Sequence, residues 1–215
     1  MGCDMNINMN NNMNEQQSAF VRLLHASPDA PAVDIYANGN IIARNIGYKQ
    51  RTQYLSVPTG TYNIRVYRSG QRMNPVISTD LTLTPNSTQT VAAVGRLSEI
   101  MPLVIEEETM PQLDRNKSYV RFVHLSPDAP AVDITLPDGT ILFENTSFTE
   151  AGEYIEVDPG SYSLQVRPTG TEQIVLTLPD VRFEPATVYS VYAVGFVEGE
   201  PGLEAILITD SSYFH

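Results

Sequence analysis

The chain has 215 residues, one cysteine and no tryptophan, and its 25 Asp/Glu against 13 Lys/Arg give a net charge of −12. That acidity disfavours nucleic acid as the main partner, because a binding face would have to offset repulsion of the phosphates. The hydrophobic share of 42% is ordinary for a globular protein, and apolar runs such as Val91–Val94 and Ala205–Ile208 are far too short to span a bilayer as helices.

Residues 1–18 form an Asn/Met-rich N-terminal arm. No basic region or apolar core of a secretory signal is visible. Asn6 stands where a myristoylation signal needs Ser or Thr. Cys3 reads as an inert thiol, an intermolecular bridge or, if a lipoprotein signal has been cut away upstream, a lipid attachment point. So polar a stretch reads first as a disordered tail. Yet Met5, Ile7, Met9 and Met13 alternate with Asn, the period of a strand with one apolar face. Such an arm could add a strand to the sheet edge of a neighbouring molecule.

Strands are predicted at 19–26, 32–37, 41–46, 53–57, 61–68, 76–83, 89–96 and 101–106. Turn signals separate them, among them Pro28-Asp29, Asn38-Gly39, Pro58-Thr59-Gly60 and Ser69-Gly70. Residues 106–117, with Glu106, Glu107, Glu108 and Asp114, read as a polar linker that holds two modules apart as an extended pair. A second set of strands and turns follows at an offset of 99 to 100.

The repetition is plain in the residues. Twelve of fifteen positions in 21–35 recur in 120–134, both as Val-Arg-x-x-His-x-Ser-Pro-Asp-Ala-Pro-Ala-Val-Asp-Ile. The domains are therefore 19–105 and 118–215. The expected fold class is all-β: two tandem immunoglobulin-like antiparallel β-sandwich domains with an extended N-terminal arm. Gly60-Thr61-Tyr62 and Gly160-Ser161-Tyr162 have the local pattern of a tyrosine corner, which makes Tyr62 and Tyr162 structural.

The segment 25–36, with Asn38-Gly39 and the Pro-Thr-Gly-Thr-Tyr turn, resembles the bacterial family called domain of unknown function 4397. Residues 124–134, Asp138-Gly139 and Pro159-Gly160-Ser161-Tyr162 resemble it again, so the likeness covers about 185 residues. The resemblance implies immunoglobulin-like sandwich modules, often in tandem, on bacterial surface or exported proteins. It implies no catalytic residues.

The recurring His25, Ser27 and Asp29 (His124, Ser126 and Asp128 in the second copy) lie too close around a proline to converge as a triad. A structural role is expected instead: Asp29 and Asp128 bonding the backbone two residues on, His25 and His124 at the core edge. Calcium at Asp29 and the outward-facing Asp34 is a thin prospect, since hard cations want six or more oxygens. No cofactor and no transition metal is expected.

The charge is unevenly divided: residues 19–105 carry +4 and residues 118–215 carry −12. Lys49, Arg51, Arg65, Arg68 and Arg72 lie near Tyr67 and other tyrosines, while the second copy places Glu150, Glu153 and Glu156 at matching sites. Complementary faces on one chain favour head-to-tail contact between copies. The expected function is a non-enzymatic structural or assembly protein of a cell, extracellular or spore surface, self-associating through its faces and its arm. The alternative is a binding module whose Arg/Tyr face recognises an anionic glycan or a protein.

Overall fold

A computed structural model describes residues 17–107 and 113–210. The arm expectation at Cys3, Met5, Ile7 and Met9 lies outside them. Among the described residues there are sixteen strands and no α-helix. The first repeat forms β1 (Ser18–His25), β2 (Val33–Ala37), β3 (Asn40–Ile46), β4 (Leu55–Pro58), β5 (Gly60–Arg68), β6 (Ile77–Leu83), β7 (Thr88–Val94) and β8 (Met101–Glu107). The second forms β9 (Ser118–His124), β10 (Val132–Thr135), β11 (Ile141–Thr146), β12 (Ile155–Val157), β13 (Gly160–Pro168), β14 (Leu176–Phe183), β15 (Val188–Val194) and β16 (Glu204–Asp210).

Each repeat is a sandwich of two four-stranded sheets. Domain 1 has an inner sheet β4-β1-β7-β8 and an outer sheet β3-β2-β5-β6; domain 2 repeats them as β12-β9-β15-β16 and β11-β10-β13-β14. The first strand lies between the fourth and the seventh, antiparallel to one and parallel to the other. A constant-type immunoglobulin domain instead places its first strand in one sheet with the second and fifth.

Alternation along the strands fills each core. Val21, Leu23, Val33, Ile35, Val66, Ile77 and Leu83 are buried within domain 1. Val120, Phe122, Val132, Ile134, Phe143, Leu164 and Phe183 are buried within domain 2.

The opposite faces of the two inner sheets are buried as well. Leu24, Ala26, Ala92, Val94 and Ile105 of domain 1 form one cluster with Val123, Leu125, Tyr192, Val194 and Ile208 of domain 2. The molecule is thus a stack of four β-layers, outer–inner–inner–outer, and the extended pair expected from the linker does not occur. Strands covered on both faces read as nearly continuous apolar runs, as Val91-Ala92-Ala93-Val94 does. Glu106 and Glu107, assigned to the linker, belong to β8, where Glu107 is buried.

Candidate functional site

The repeated motif ties loops together through its polar side chains. His25 Nε2 lies 3.1 Å from the Pro31 carbonyl, and His124 Nε2 lies 3.1 Å from that of Pro130. A carbonyl only accepts, so this nitrogen carries the proton in both rings. Burial pushes both imidazoles below their ordinary value. Ser27 Oγ donates to the Gly95 carbonyl and Ser126 Oγ to that of Gly195. Both glycines have positive φ, and a Cβ at Gly195 would meet the Gly202 carbonyl oxygen at 2.1 Å, so no side chain fits there.

The aspartates behave differently from the sequence expectation. Asp29 accepts from the Leu97 N–H and Asp128 from that of Val197, far along the chain rather than two residues on. Asp34 does not face outward. It is 8% exposed and accepts from the Asn45 and Gly70 N–H groups and from the Ser69 hydroxyl. The Gly70 and Asn45 bonds hold its carboxyl below the usual range. The period-two rule missed this because a carboxylate that collects backbone donors is stable under cover. Among the described residues no three His, Cys, Asp or Glu side chains cluster as metal ligands would.

Sequence reasoning missed the densest polar site, where the two inner sheets meet. Arg22, 2% exposed, donates to Asp210 Oδ1 at 2.6 Å, to Glu107 Oε1 at 3.2 Å, to Thr90 Oγ1 at 2.9 Å and to the Thr209 carbonyl at 3.0 Å. Arg121 donates to Ser190 Oγ and to the Glu106 carbonyl, each at 2.7 Å, and lies 3.8 Å from Asp210 Oδ2. Tyr54 donates to Glu107 at 2.5 Å and Tyr154 to Asp210 at 2.7 Å. Ser190 also donates to Asp210. Each guanidinium lies over its own domain's tyrosine, 4.7 Å from Tyr54 and 4.6 Å from Tyr154.

Two cations thus face two carboxylates in a water-poor interface, where charge is stable only if paired. Burial opposes the Arg22 charge, but Tyr192, Asp210 and Glu107 outweigh it and hold the proton more tightly. Burial, followed by the Asp210 charge, raises Glu107 above the usual carboxylate range. Burial also raises Tyr54 and Tyr154, so both stay protonated donors. The signal was present in the repeat itself: Arg22 and Arg121 occupy the same position of β1 and β9, flanked by apolar residues. A charged residue kept inside such a run points to a buried partner.

The basic residues do not form one patch. Lys49 reaches across to Glu204 of domain 2 at 2.9 Å. Arg51 borders the ionic cluster, in a shallow recess shared with Arg22, Tyr54 and Asp210. Arg68 is exposed at the end of β5, opposite Val33. Only Arg65, Tyr67 and Arg72 gather, with Tyr36, on the outer face of domain 1. Tyr36 and Tyr67 meet edge to face at 5.5 Å, Arg65 pairs with Tyr36 across the strands, and Arg72 donates to the Tyr36 hydroxyl at 3.1 Å.

The expected acidic face is also dispersed. Glu150 accepts from the Ser147 N–H in its own turn, Glu156 accepts from the Tyr119 hydroxyl, and Glu153 is exposed between them. Register locates a different reversal of charge. Ala43 and Phe143 are matched opposite Ile35 and Ile134, so exposed Arg44 corresponds to exposed Glu144. In the following turns Arg72 corresponds to Glu172.

Tyr62 Oη donates to the Pro58 carbonyl and Tyr162 Oη to that of Asp158, each at 2.7 Å. This is the back-bond of a tyrosine corner. No helix among the described residues is long and apolar enough to cross a membrane.

The family model for the domain of unknown function DUF4397 matches this chain twice, over residues 19–135 and 118–213. No curated protein matches. Among solved structures, the Bacillus anthracis TIE protein is 9% identical with a TM-score of 0.26, covering 84% of this chain and 34% of its own. A DUF3823 family protein from Bacteroides ovatus is 11% identical with a TM-score of 0.24, covering 77% and 97%. The chain therefore spans about a third of the length of the first of these, and likenesses this weak carry no functional argument.

Proposed function

We propose, for a chain that belongs to the DUF4397 family in two tandem copies, a non-enzymatic structural role at a bacterial surface in which molecules stack head to tail. The observation that carries this reading is the four-layer stack with unlike ends. The exposed outer face of domain 1 presents Arg44, Arg65 and Arg72; the far end, in domain 2, presents Glu144 and Glu172. Two unlike patches on opposite ends make a heterologous contact, which propagates unless it closes into a ring. The motif residues support the non-enzymatic part, since His25, Ser27 and Asp29 all bond main-chain groups of their own domain.

Sedimentation of the full chain tests the proposal. Association should weaken as salt rises, fall in Arg44→Glu/Arg72→Glu, and return when that variant is mixed with Glu144→Arg/Glu172→Arg. A monomer at low and high salt, with and without residues 1–17, overturns it.

The outer-face cluster supports a second reading, a binding module for an anionic glycan or protein. Arg72 lies 5.1 Å from the Tyr36 ring centre, and such a cation–aromatic pair suits a ligand with both charge and a flat face. Salt-sensitive binding lost in Arg65→Ala and Arg72→Ala, with no self-association, would select it.

A further inference from the structure

The two sandwiches share a register but not a filling. Leu23 and Phe122 occupy one position, opposite Val91 and Val191. Ala43 and Phe143 occupy another, opposite Ile35 and Ile134. Leu83 and Phe183 occupy a third, opposite Gly60 and Gly160. Gln89 and Tyr189 are a fourth pair, opposite Val21 and Val120.

In domain 2 the aromatic members pack on one another. Phe122 lies 6.2 Å from Phe143, and Phe183 lies 5.4 Å from Tyr189, centre to centre. In domain 1 all four are replaced by smaller or polar side chains, and a cavity of about 530 Å³ lies between the sheets, with Leu23 and Leu83 of the four in its wall.

We infer that this cavity is a binding site for the hydrocarbon chain of a single-chain lipid, a fatty acid or its ester. Its walls are largely aliphatic, including Val21, Leu23, Ile35, Val66 and Val91. It runs along β5 from Tyr62 to Val66, roughly 13 Å at the rise of a strand. The volume falls in the range of ligand pockets, about 300–1,000 Å³. An apolar void a fraction of this size already stays dry and takes up small hydrocarbons.

Asn38, Asn40 and Asp80 are exposed at the rim beside Ile42, which is 39% exposed, while the wall adds half-buried Tyr62 and Thr79 and buried His25 to its aliphatic side chains. That arrangement places a head group in water and a tail between the sheets. The one buried polar ring of the wall, His25, is held neutral by its surroundings and leaves Nδ1 without a partner. It offers no charge to a second polar end. This inference does not rest on self-association, and it holds for a monomer.

Titration of the full chain with cis-parinaric acid, a fluorescent polyene fatty acid, tests it. Saturable binding of one probe per chain, displaced by palmitate, is expected. Leu23→Phe/Leu83→Phe installs, at two positions of the cavity wall, the side chains that domain 2 carries there. It should bind the probe about tenfold more weakly or worse and melt at a higher temperature. If that variant does not fold, Leu83→Phe alone fills less of the space and is read the same way. Absence of saturable binding by the parent chain overturns the inference, as does binding that the filled variants retain.

Discussion

Domain 2 closes its core with Phe122, Phe143, Phe183 and Tyr189, whereas domain 1 holds Leu23, Ala43, Leu83 and Gln89 at the same register positions. The backbone plan barely notices: both domains have eight strands in the same order, and the loops are pinned by the same His, Ser and Asp. The difference teaches that the repeated motif specifies the frame, and that the frame tolerates a core with or without its aromatic centre. What domain 1 has lost inside it has gained outside, since Arg44, Tyr36 and Arg72 stand where domain 2 has Glu144, Thr135 and Glu172. Identity between the copies falls on residues that hold the frame.

The comparison can be broken hardest at the domain interface. Arg22 has four polar partners among the described residues besides its contact with Tyr192, while Arg121 has two hydrogen bonds and a 3.8 Å ion pair. Arg22→Met leaves Glu107 and Asp210 under-compensated and should cost about 3–5 kcal/mol in urea unfolding. Arg121→Met should cost clearly less. Equal losses would show that the two arginines carry the interface alike.

Phe143→Ala gives domain 2 the side chain that domain 1 already has at that position. It should cost about 3–5 kcal/mol, because a packed wall cannot collapse around the gap. Calorimetry that finds a loss below about 1 kcal/mol would mean that the aromatic centre of domain 2 is not what tightens it. Tyr162→Phe and Tyr62→Phe each remove one hydrogen bond and should cost about 1 kcal/mol by urea unfolding. A near-zero loss in one domain alone would separate two corners that look identical.

Acid provides a test that should treat the domains alike. Both motif imidazoles lie below their ordinary value of 6.5 when folded. The unfolded chain therefore binds more protons as pH falls through about 6.5, and stability is lost from there downwards. Glu107 works the other way. Raised when folded, it holds a proton that the unfolded chain has released, so acidification favours the folded state in the window above its ordinary value of 4.5. Urea midpoints between pH 7 and 5 should fall, flatten in His25→Gln/His124→Gln, and fall more steeply in Glu107→Gln.

The smallest effect is expected at the surface. The Lys49–Glu204 pair joins the domains with side chains 39% and 36% exposed. Lys49→Ala should cost about 0.2–1 kcal/mol, less in high salt. A larger loss would mean that this pair, rather than the buried cluster, sets how the domains meet.

Most of the fold was legible. Turn residues and alternation placed the strands to within a residue or two, because Pro, Gly and Asn have few conformations open to them. The corners were legible from Gly-x-Tyr alone. The packing of one domain on the other was not, because alternation identifies only one buried face. The second face was encoded in runs such as Val91–Val94, whose length says "covered twice" without saying by what. The ionic cluster was missed for a related reason. Arg22, Glu107 and Asp210 are 85 to 188 residues apart in sequence and meet only through the stack. The basic residues looked like one patch because they are near in sequence, but Lys49, in a turn, and Arg51, at an isolated bridge, lie beside domain 2, whereas Arg65 of β5 lies on the outer face.

The reciprocity of the interface has a consequence of its own. Arg22 of β1 donates to the carbonyl of Thr209, and Arg121 of β9 donates to that of Glu106, which occupies the same register position in β8. A contact in which i meets j and j meets i is the mark of an isologous dimer. The molecule has the form of two identical subunits related by a two-fold axis and then joined end to end. Joining makes their association independent of concentration, so dilution cannot part them. It also frees each half from the other's sequence: Tyr192 can fill the interface where Ala92 yields room, a combination that a dimer of identical chains could never hold.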